Sequence, residues 1–219
     1  MYENYKSDFI DDMLSCGALR FGDFTTKSGR RSPYFINTGA FDTGRLIGRL
    51  GSYYAACIMD NIKEGNIPPR IDVLFGPAYK GIPLAAVTAA ALYSGFGIEA
   101  GFAFNRKEVK DHGEGGGIVG RHPSDGDNII ILDDVITAGT AAREIIPVIR
   151  QSADVNITGM IISVDRMERG TAGLSAVEEL RRALSIYISP IITVMDILGR
   201  AEPEDRRAIE SYLAEYSPG

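Results

Sequence analysis

From residue 71 to residue 195 the chain repeats one alternation, a short apolar run followed by a longer stretch with helical spacing. The apolar runs are "IDVLFG", "EAGFAF", "NIIIL", "ITGMIISV" and "IITVM"; the stretches between them include "IPLAAVTAAALYSG", "TAAREIIPVIRQ" and "SAVEELRRAL". Continuous Ile and Val, without the polar alternation of a half-exposed strand, is the pattern of a parallel sheet covered by helices on both faces. The expected class is therefore α/β. Crossovers in such a sheet are right-handed, and ligands bind in the crevice beyond the carboxyl ends of the strands.

The first 45 residues read differently. A short amphipathic helix from Tyr5 to Cys16 precedes "RFGDFTTKSGRRSPYFINTG", whose aromatic and polar alternation suits short strands and turns. A helix from about Thr43 to Ile62 follows, and Pro68-Pro69 breaks the chain. Ser175 and Glu178 are spaced as a capping box, and Pro203 suits the first turn of a last helix ending near Tyr216. Pro147 falls inside its helix, where it removes a hydrogen bond and should kink or stop it.

A length of 219 residues fits one domain with a core that needs no staples. The net charge of −6 argues against nucleic acid as a partner, because non-specific binding there needs clustered Lys and Arg. Any anionic ligand must be held by local basic groups. The two cysteines, Cys16 and Cys57, form no CxxC pair, which suits a reducing compartment. The acidic N-terminus is no signal peptide, and no apolar run is long enough to span a bilayer, so a cytoplasmic protein without membrane association is expected.

Within this frame "IIILDDVITAGTA" is the most informative segment. Asp133 and Asp134 follow an apolar strand, so they emerge where a ligand would sit. Two carboxylates about 4 Å apart repel by roughly 4 kcal/mol at an effective dielectric near 20, so something must offset the cost. A helix cap plus a solvated acid is one reading. The other comes from Thr137-Ala138-Gly139-Thr140, a small-residue turn opening a helix, whose N–H groups can converge on an anion. Acids beside a phosphate cradle suit a ligand carrying hydroxyls and phosphate, such as a sugar phosphate. No Gly-Lys-Ser/Thr follows, which excludes a nucleoside triphosphate loop of the Walker kind.

Upstream, "FNRKEVKDHGEGGGIVGR" places Arg106, Lys107, Lys110 and His112 beside a glycine-rich tail, on a loop longer than a structural connection needs. It reads either as a lid or as a solvated surface loop. Gly115, Gly117 and Gly120 satisfy G-x-G-x-x-G formally, but neither a preceding strand nor a following helix supports dinucleotide binding.

These residues carry a resemblance. "IIILDDVITAGTA" resembles the phosphoribosyl pyrophosphate (PRPP) motif of type I phosphoribosyltransferases, and "RKEVKDHGEGG" resembles the mobile catalytic loop of the orotate phosphoribosyltransferases among them. "FTTKSGRRSPYFIN" is similar to that family's N-terminal hood, "FGPAYKGIPLA" to its pyrophosphate loop and "SVDRMERG" to its base-recognition segment. Ile36 stands where the family usually has a second aromatic.

The resemblance implies a type I phosphoribosyltransferase fold over residues 1–219, a central parallel sheet with helices on both faces plus a small hood from about 1–42 and a catalytic loop at 105–127. It implies that PRPP contacts Lys27, Tyr79, Lys80, Arg106, Lys107, Lys110 and His112, with Asp133 and Asp134 on the ribose hydroxyls. Val135, Ile136, Thr137, Ala138, Gly139, Thr140 and Ala141 would cradle the 5-phosphate. Orotate would meet Lys27, Phe35, Ile36, Thr137 and Arg166, the last through its carboxylate. The catalytic set would be Lys110, Asp133, Asp134, Arg106, Lys107 and His112. Taken without the resemblance, Lys27 and Lys80 read as surface lysines, Arg166 as the partner of Asp165 or Glu168, and His122 as a loop histidine.

The implied reaction moves a ribosyl phosphate from PRPP to N1 of orotate, giving orotidine 5′-monophosphate and pyrophosphate in pyrimidine biosynthesis. The implied cofactor is Mg²⁺, carried by PRPP with Asp133 and Asp134 and without a dedicated protein cage. The implied assembly is a homodimer with the catalytic loop shared across subunits. The alternatives are a phosphoribosyltransferase for another base, against which Lys27, the lid and Arg166 speak, and a non-catalytic PRPP-binding regulator, which would need no basic lid.

Overall fold

The structure is a computed structural model that describes residues 4–26, 29–107, 117–136 and 139–218. Its centre is a six-stranded sheet built from β3 (Val73–Phe75), β4 (Gly101–Asn105), β5 (Ile118–Gly120), β6 (Asn128–Val135), β7 (Asn156–Asp165) and β8 (Ile188–Thr193), in the order β5-β4-β3-β6-β7-β8. The β3–β4, β3–β6, β6–β7 and β7–β8 pairs are parallel, as the apolar runs require.

Helices cover both faces. On one lie α2 (Gly44–Lys63) and α3 (Gly81–Phe96), packed with α1 (Tyr5–Ser15), α6 (Val194–Leu198) and α7 (Pro203–Tyr216). On the other lie α4 (Thr140–Ser152) and α5 (Ala176–Leu184). Successive residues of β6 feed the two cores in turn: Ile130 and Leu132 join the first, Ile129 and Ile131 the second. That double burial is why the strand is apolar at every position from Ile129 to Leu132.

A separate antiparallel hairpin, β1 (Leu19–Thr25) with β2 (Arg31–Ile36), forms the expected hood. It is held to the body from behind by α7: the Tyr34 ring meets Tyr212 edge-on at 6.1 Å between centroids.

Several expectations change in detail. The sheet is mixed, because part of the long polar segment folds as β5, antiparallel to β4, with Ala103 opposite Gly120 and Asn105 opposite Ile118. Only Ile118 of β5 is buried, and so short an edge strand leaves almost no apolar signature. The expected "IITVM" strand lies earlier, at Ile188–Thr193, and its tail turns into α6 because Asp196 accepts the Thr193 N–H at 2.7 Å. Pro147 does not stop α4, which continues to Ser152. The proline sits on the exposed face, where its orphaned carbonyl partner can be solvated. Ser175 caps α5 by accepting the Glu178 N–H at 3.1 Å, but the Glu178 carboxylate turns to Arg181 and Arg182 instead of closing a capping box.

Candidate active site

Three segments leave the carboxyl ends of three adjacent strands. Phe75 of β3 lies beside Ile131 of β6, and Val135 of β6 beside Val164 of β7. The loop from Gly76, the Asp133-Asp134 pair and the segment from Arg166 therefore open into one crevice edge, where the sheet's parallel order places ligands.

The two aspartates do not follow β6 but lie within its carboxyl end, with Asp133 opposite Ile162. Their different surroundings offset the repulsion. Asp134 is 6% exposed; its Oδ2 accepts from Lys80 Nζ at 2.7 Å and its Oδ1 from Ser163 Oγ at 3.0 Å. Asp133 Oδ1 accepts the Asp134 N–H at 2.8 Å, and its carbonyl accepts the hydroxyl of fully buried Tyr54 at 2.7 Å. Burial raises the Asp133 pKa above the ordinary carboxylate value, with the Asp134 charge adding to it and the Asp134 N–H and Lys80 opposing it. Asp134 is thus a partnered anion, while Asp133 is the carboxylate the fold holds at a cost.

Lys80 reaches Asp134 from a sharply folded loop. A Cβ on Gly76 would stand 1.9 Å from the Gly81 carbonyl oxygen, and one on Gly81 would stand 2.6 Å from the Gly76 carbonyl carbon, so both positions admit only glycine. Asn105 fixes the loop's middle by accepting the Ala78 N–H at 2.9 Å. Tyr79 stands exposed beyond it, and Lys107 Nζ lies 4.9 Å from its ring centroid. A residue of the basic segment thereby touches the loop expected to hold pyrophosphate. Arg106 is exposed, and its N–H binds the Gly117 carbonyl at 2.8 Å, extending the β4–β5 ladder.

On the other side α4 begins at Gly139, which takes φ of 68° and provides no capping side chain. Among the described residues the first-turn N–H groups have no side-chain acceptor, and Gly139, Thr140 and Ala141 line a cavity of about 100 Å³ with Asp133, Val135 and Ile136. A Cβ at Gly139 would meet Leu180 of α5 at 2.5 Å, so this residue fixes the close approach as well as the turn.

Arg166 is enclosed. Its Nε donates to Glu168 Oε1 at 2.6 Å, one Nη2 hydrogen goes to Ser32 Oγ at 3.0 Å, and its guanidinium lies 4.3 Å from the Tyr34 ring centroid. Burial alone would lower its pKa, but Tyr34 and Glu168 outweigh that and keep it charged. The ion pair with Glu168 read from the sequence is therefore present. Asp165 instead accepts the Met167 N–H at 2.8 Å.

Of the remaining expected residues, Ile36 shares the β2 face of Ser32 and Tyr34. The Phe35 ring turns to the opposite face, against Phe24 and Arg20. Lys27, Lys110, His112, Thr137 and Ala138 lie outside the described residues. Sequence reading did not find Ser163, Tyr54, Ser32, Tyr34 or Tyr212. Ser163 alone left a signal, a lone hydroxyl inside "MIISV".

A phosphoribosyl transferase domain model matches residues 49–173. The chain is 48% identical to the orotate phosphoribosyltransferase of Clostridium beijerinckii over 89% of this chain and 84% of that one. It is 46% identical to the orotate phosphoribosyltransferase of Bifidobacterium animalis over 99% of both chains. The crystal structure of the Francisella tularensis orotate phosphoribosyltransferase superposes with a TM-score of 0.82 at 32% identity, over 96% of this chain and 99% of that one.

Proposed function

The chain belongs to the orotate phosphoribosyltransferase family, and on that premise we propose that it transfers the 5-phosphoribosyl group of PRPP to N1 of orotate, releasing pyrophosphate and forming orotidine 5′-monophosphate for pyrimidine synthesis. The observation that carries the reading is the meeting of Lys80, Asp133-Asp134 and Arg166 at the carboxyl ends of three neighbouring strands. A sugar, its leaving group and an anionic base need those three chemistries side by side.

As the bond from C1 to pyrophosphate weakens, positive charge grows on the ribose and negative charge on the leaving group. Fixed charge near both lowers the barrier without reorganisation at the moment of reaction. In this reading Asp133 and Asp134 hold the ribose hydroxyls on its electropositive side. Lys80, Arg106 and Lys107, with Lys27, Lys110 and His112, neutralise pyrophosphate. The α4 turn from Val135 to Ala141 holds the 5-phosphate, with Thr137 also at the pyrimidine. Arg166 takes the orotate carboxylate, with Ile36 and the backbone of Phe35 of the hood beside the base.

The cofactor of this reading is Mg²⁺, a hard cation that favours carboxylate and phosphate oxygens. Asp133 and Asp134 supply such oxygens, and PRPP would supply the other ligands. Bound there, the ion would add positive charge at the diphosphate. A cytoplasmic homodimer completes the reading. No described helix is long and apolar enough to cross a membrane.

The test is to mix protein, PRPP, Mg²⁺ and orotate and follow the loss of orotate's ultraviolet absorbance, with uracil and adenine as controls. Turnover of orotate alone is expected. Absence of orotate turnover overturns the assignment.

A further inference from the structure

Arg166 is one arginine in a cage drawn from the hood, the segment after β7 and the last helix. Glu168 is the hub of the cage. Its Oε1 accepts from Arg166 and from the Tyr212 hydroxyl at 2.7 Å, and its Oε2 accepts from Arg30 Nη1 at 3.4 Å. The Tyr212 hydroxyl also lies against the guanidinium. Met167, at φ of 52°, turns the chain so that Arg166 and Glu168 point back under the hood, and the Asp165 carboxylate holds that turn. The α7 end grips the same segment: the Arg169 N–H binds the Tyr216 carbonyl at 2.7 Å, and Arg169 Nη2 binds the Glu215 carbonyl at 2.7 Å.

Two consequences follow for a ligand. The bonds to Glu168 and Ser32 use Nε and one Nη2 hydrogen, and the Tyr212 hydroxyl is a third partner, so three side chains fix the orientation of the guanidinium. A planar guanidinium so fixed can meet a carboxylate bidentately. Secondly, Glu168 is shared by Arg166 and Arg30, and the trio carries one surplus positive charge. A single ligand carboxylate would neutralise it.

We infer that Glu168 and Tyr212 are specificity-determining positioning residues: they fix the orientation of the Arg166 guanidinium, so that the site selects a base bearing a carboxylate. This rests on the assignment of Arg166 to the orotate carboxylate. The last helix thereby contributes to base choice, although it lies outside the matched domain at residues 49–173.

The test uses Tyr212→Phe, which keeps the ring against Tyr34, and Glu168→Asp, which keeps the charge but withdraws the carboxylate. Losing a hydrogen bond to a charged group that orients Arg166 should raise the KM for orotate about five- to tenfold, with kcat and the KM for PRPP within about twofold. The affinity ratio of orotate to its carboxamide, both measured as ligands of the PRPP-loaded enzyme, should fall by a similar factor. A packing role alone would leave that ratio unchanged. Arg166→Lys is run alongside. If it raises the orotate KM while the other two variants leave both readouts unchanged, the cage role is overturned and the Arg166 assignment stands. If Arg166→Lys itself leaves the orotate KM unchanged, the assignment fails first. Equal rises in both KM values would also overturn the cage role.

Discussion

The proposed ribose side and the proposed base side of the crevice hold their charged groups in opposite ways. Asp133 and Asp134 are consecutive residues of one strand, positioned by the β6–β7 ladder and by Lys80 and Ser163 at neighbouring strand ends. Arg166 is held by side chains from β2, its own segment and α7, spread from Ser32 to Tyr212. A ladder places atoms through backbone bonds that survive most substitutions, whereas a cage of side chains loosens when one hydroxyl is removed. The ribose side should therefore govern rate, and the base side selection.

The strongest attempt to break this division is Asp133→Asn. It should lower kcat/KM for PRPP roughly 10²- to 10³-fold by removing a preorganised charge. The fold should not weaken. A raised carboxylate pKa means that the ionised form is disfavoured in the folded state. Its cost is present at neutral pH and disappears as pH falls through the folded pKa towards about 3.9, the unfolded value. Denaturant titrations should accordingly give the variant equal or greater stability at pH 7, an advantage that vanishes in acid. Lower stability at pH 7 would contradict the strained-anion account.

Next in size, Arg166→Ala should raise the KM for orotate about 50-fold through loss of a charged bidentate contact, leaving the KM for PRPP nearly unchanged. Steady-state kinetics with each substrate varied in turn measures both. A comparable rise for PRPP would mean that the two sides are not separable.

Ser163→Ala removes the buried hydroxyl that donates to Asp134 and should cost about tenfold in kcat/KM for PRPP. An unchanged kcat/KM would show that Lys80 alone suffices to hold Asp134.

The smallest effect is expected from Tyr34→Phe. The Tyr34 hydroxyl is buried with no hydrogen-bond partner among the described residues, while its ring stacks under Arg166. Deleting the hydroxyl should change the orotate KM less than twofold and leave stability equal or up to about 1 kcal/mol higher in thermal melts. A large rise in KM would show that the hydroxyl meets the ligand.

How far each side could be read beforehand follows from the same contrast. The acidic pair and the small-residue turn were readable as a candidate site because they lie in one unbroken segment, Ile129 to Ala141, whose chemistry changes abruptly from apolar to acidic to small. The sheet was readable for a similar reason: residues buried on both faces must be apolar throughout. Strand β5 was not, being three residues long and nearly exposed, and neither was the persistence of α4 through Pro147, which depends on which face the proline takes.

The amino-acid sequence by itself determined the alternating strands and helices, the acidic pair at a strand end and the basic residues near it, because local burial and local spacing suffice for each. Only the tertiary structure decided which carboxylate is partnered and which is strained, that Lys80 closes on Asp134, and that Arg166 is gripped by a tyrosine of the last helix. Those outcomes depend on distances between residues 29 to 54 positions apart on the ribose side and 134 apart between Ser32 and Arg166. Hydrogen bonds and charge pairs act over a few ångströms of space, and position along the chain does not specify that separation.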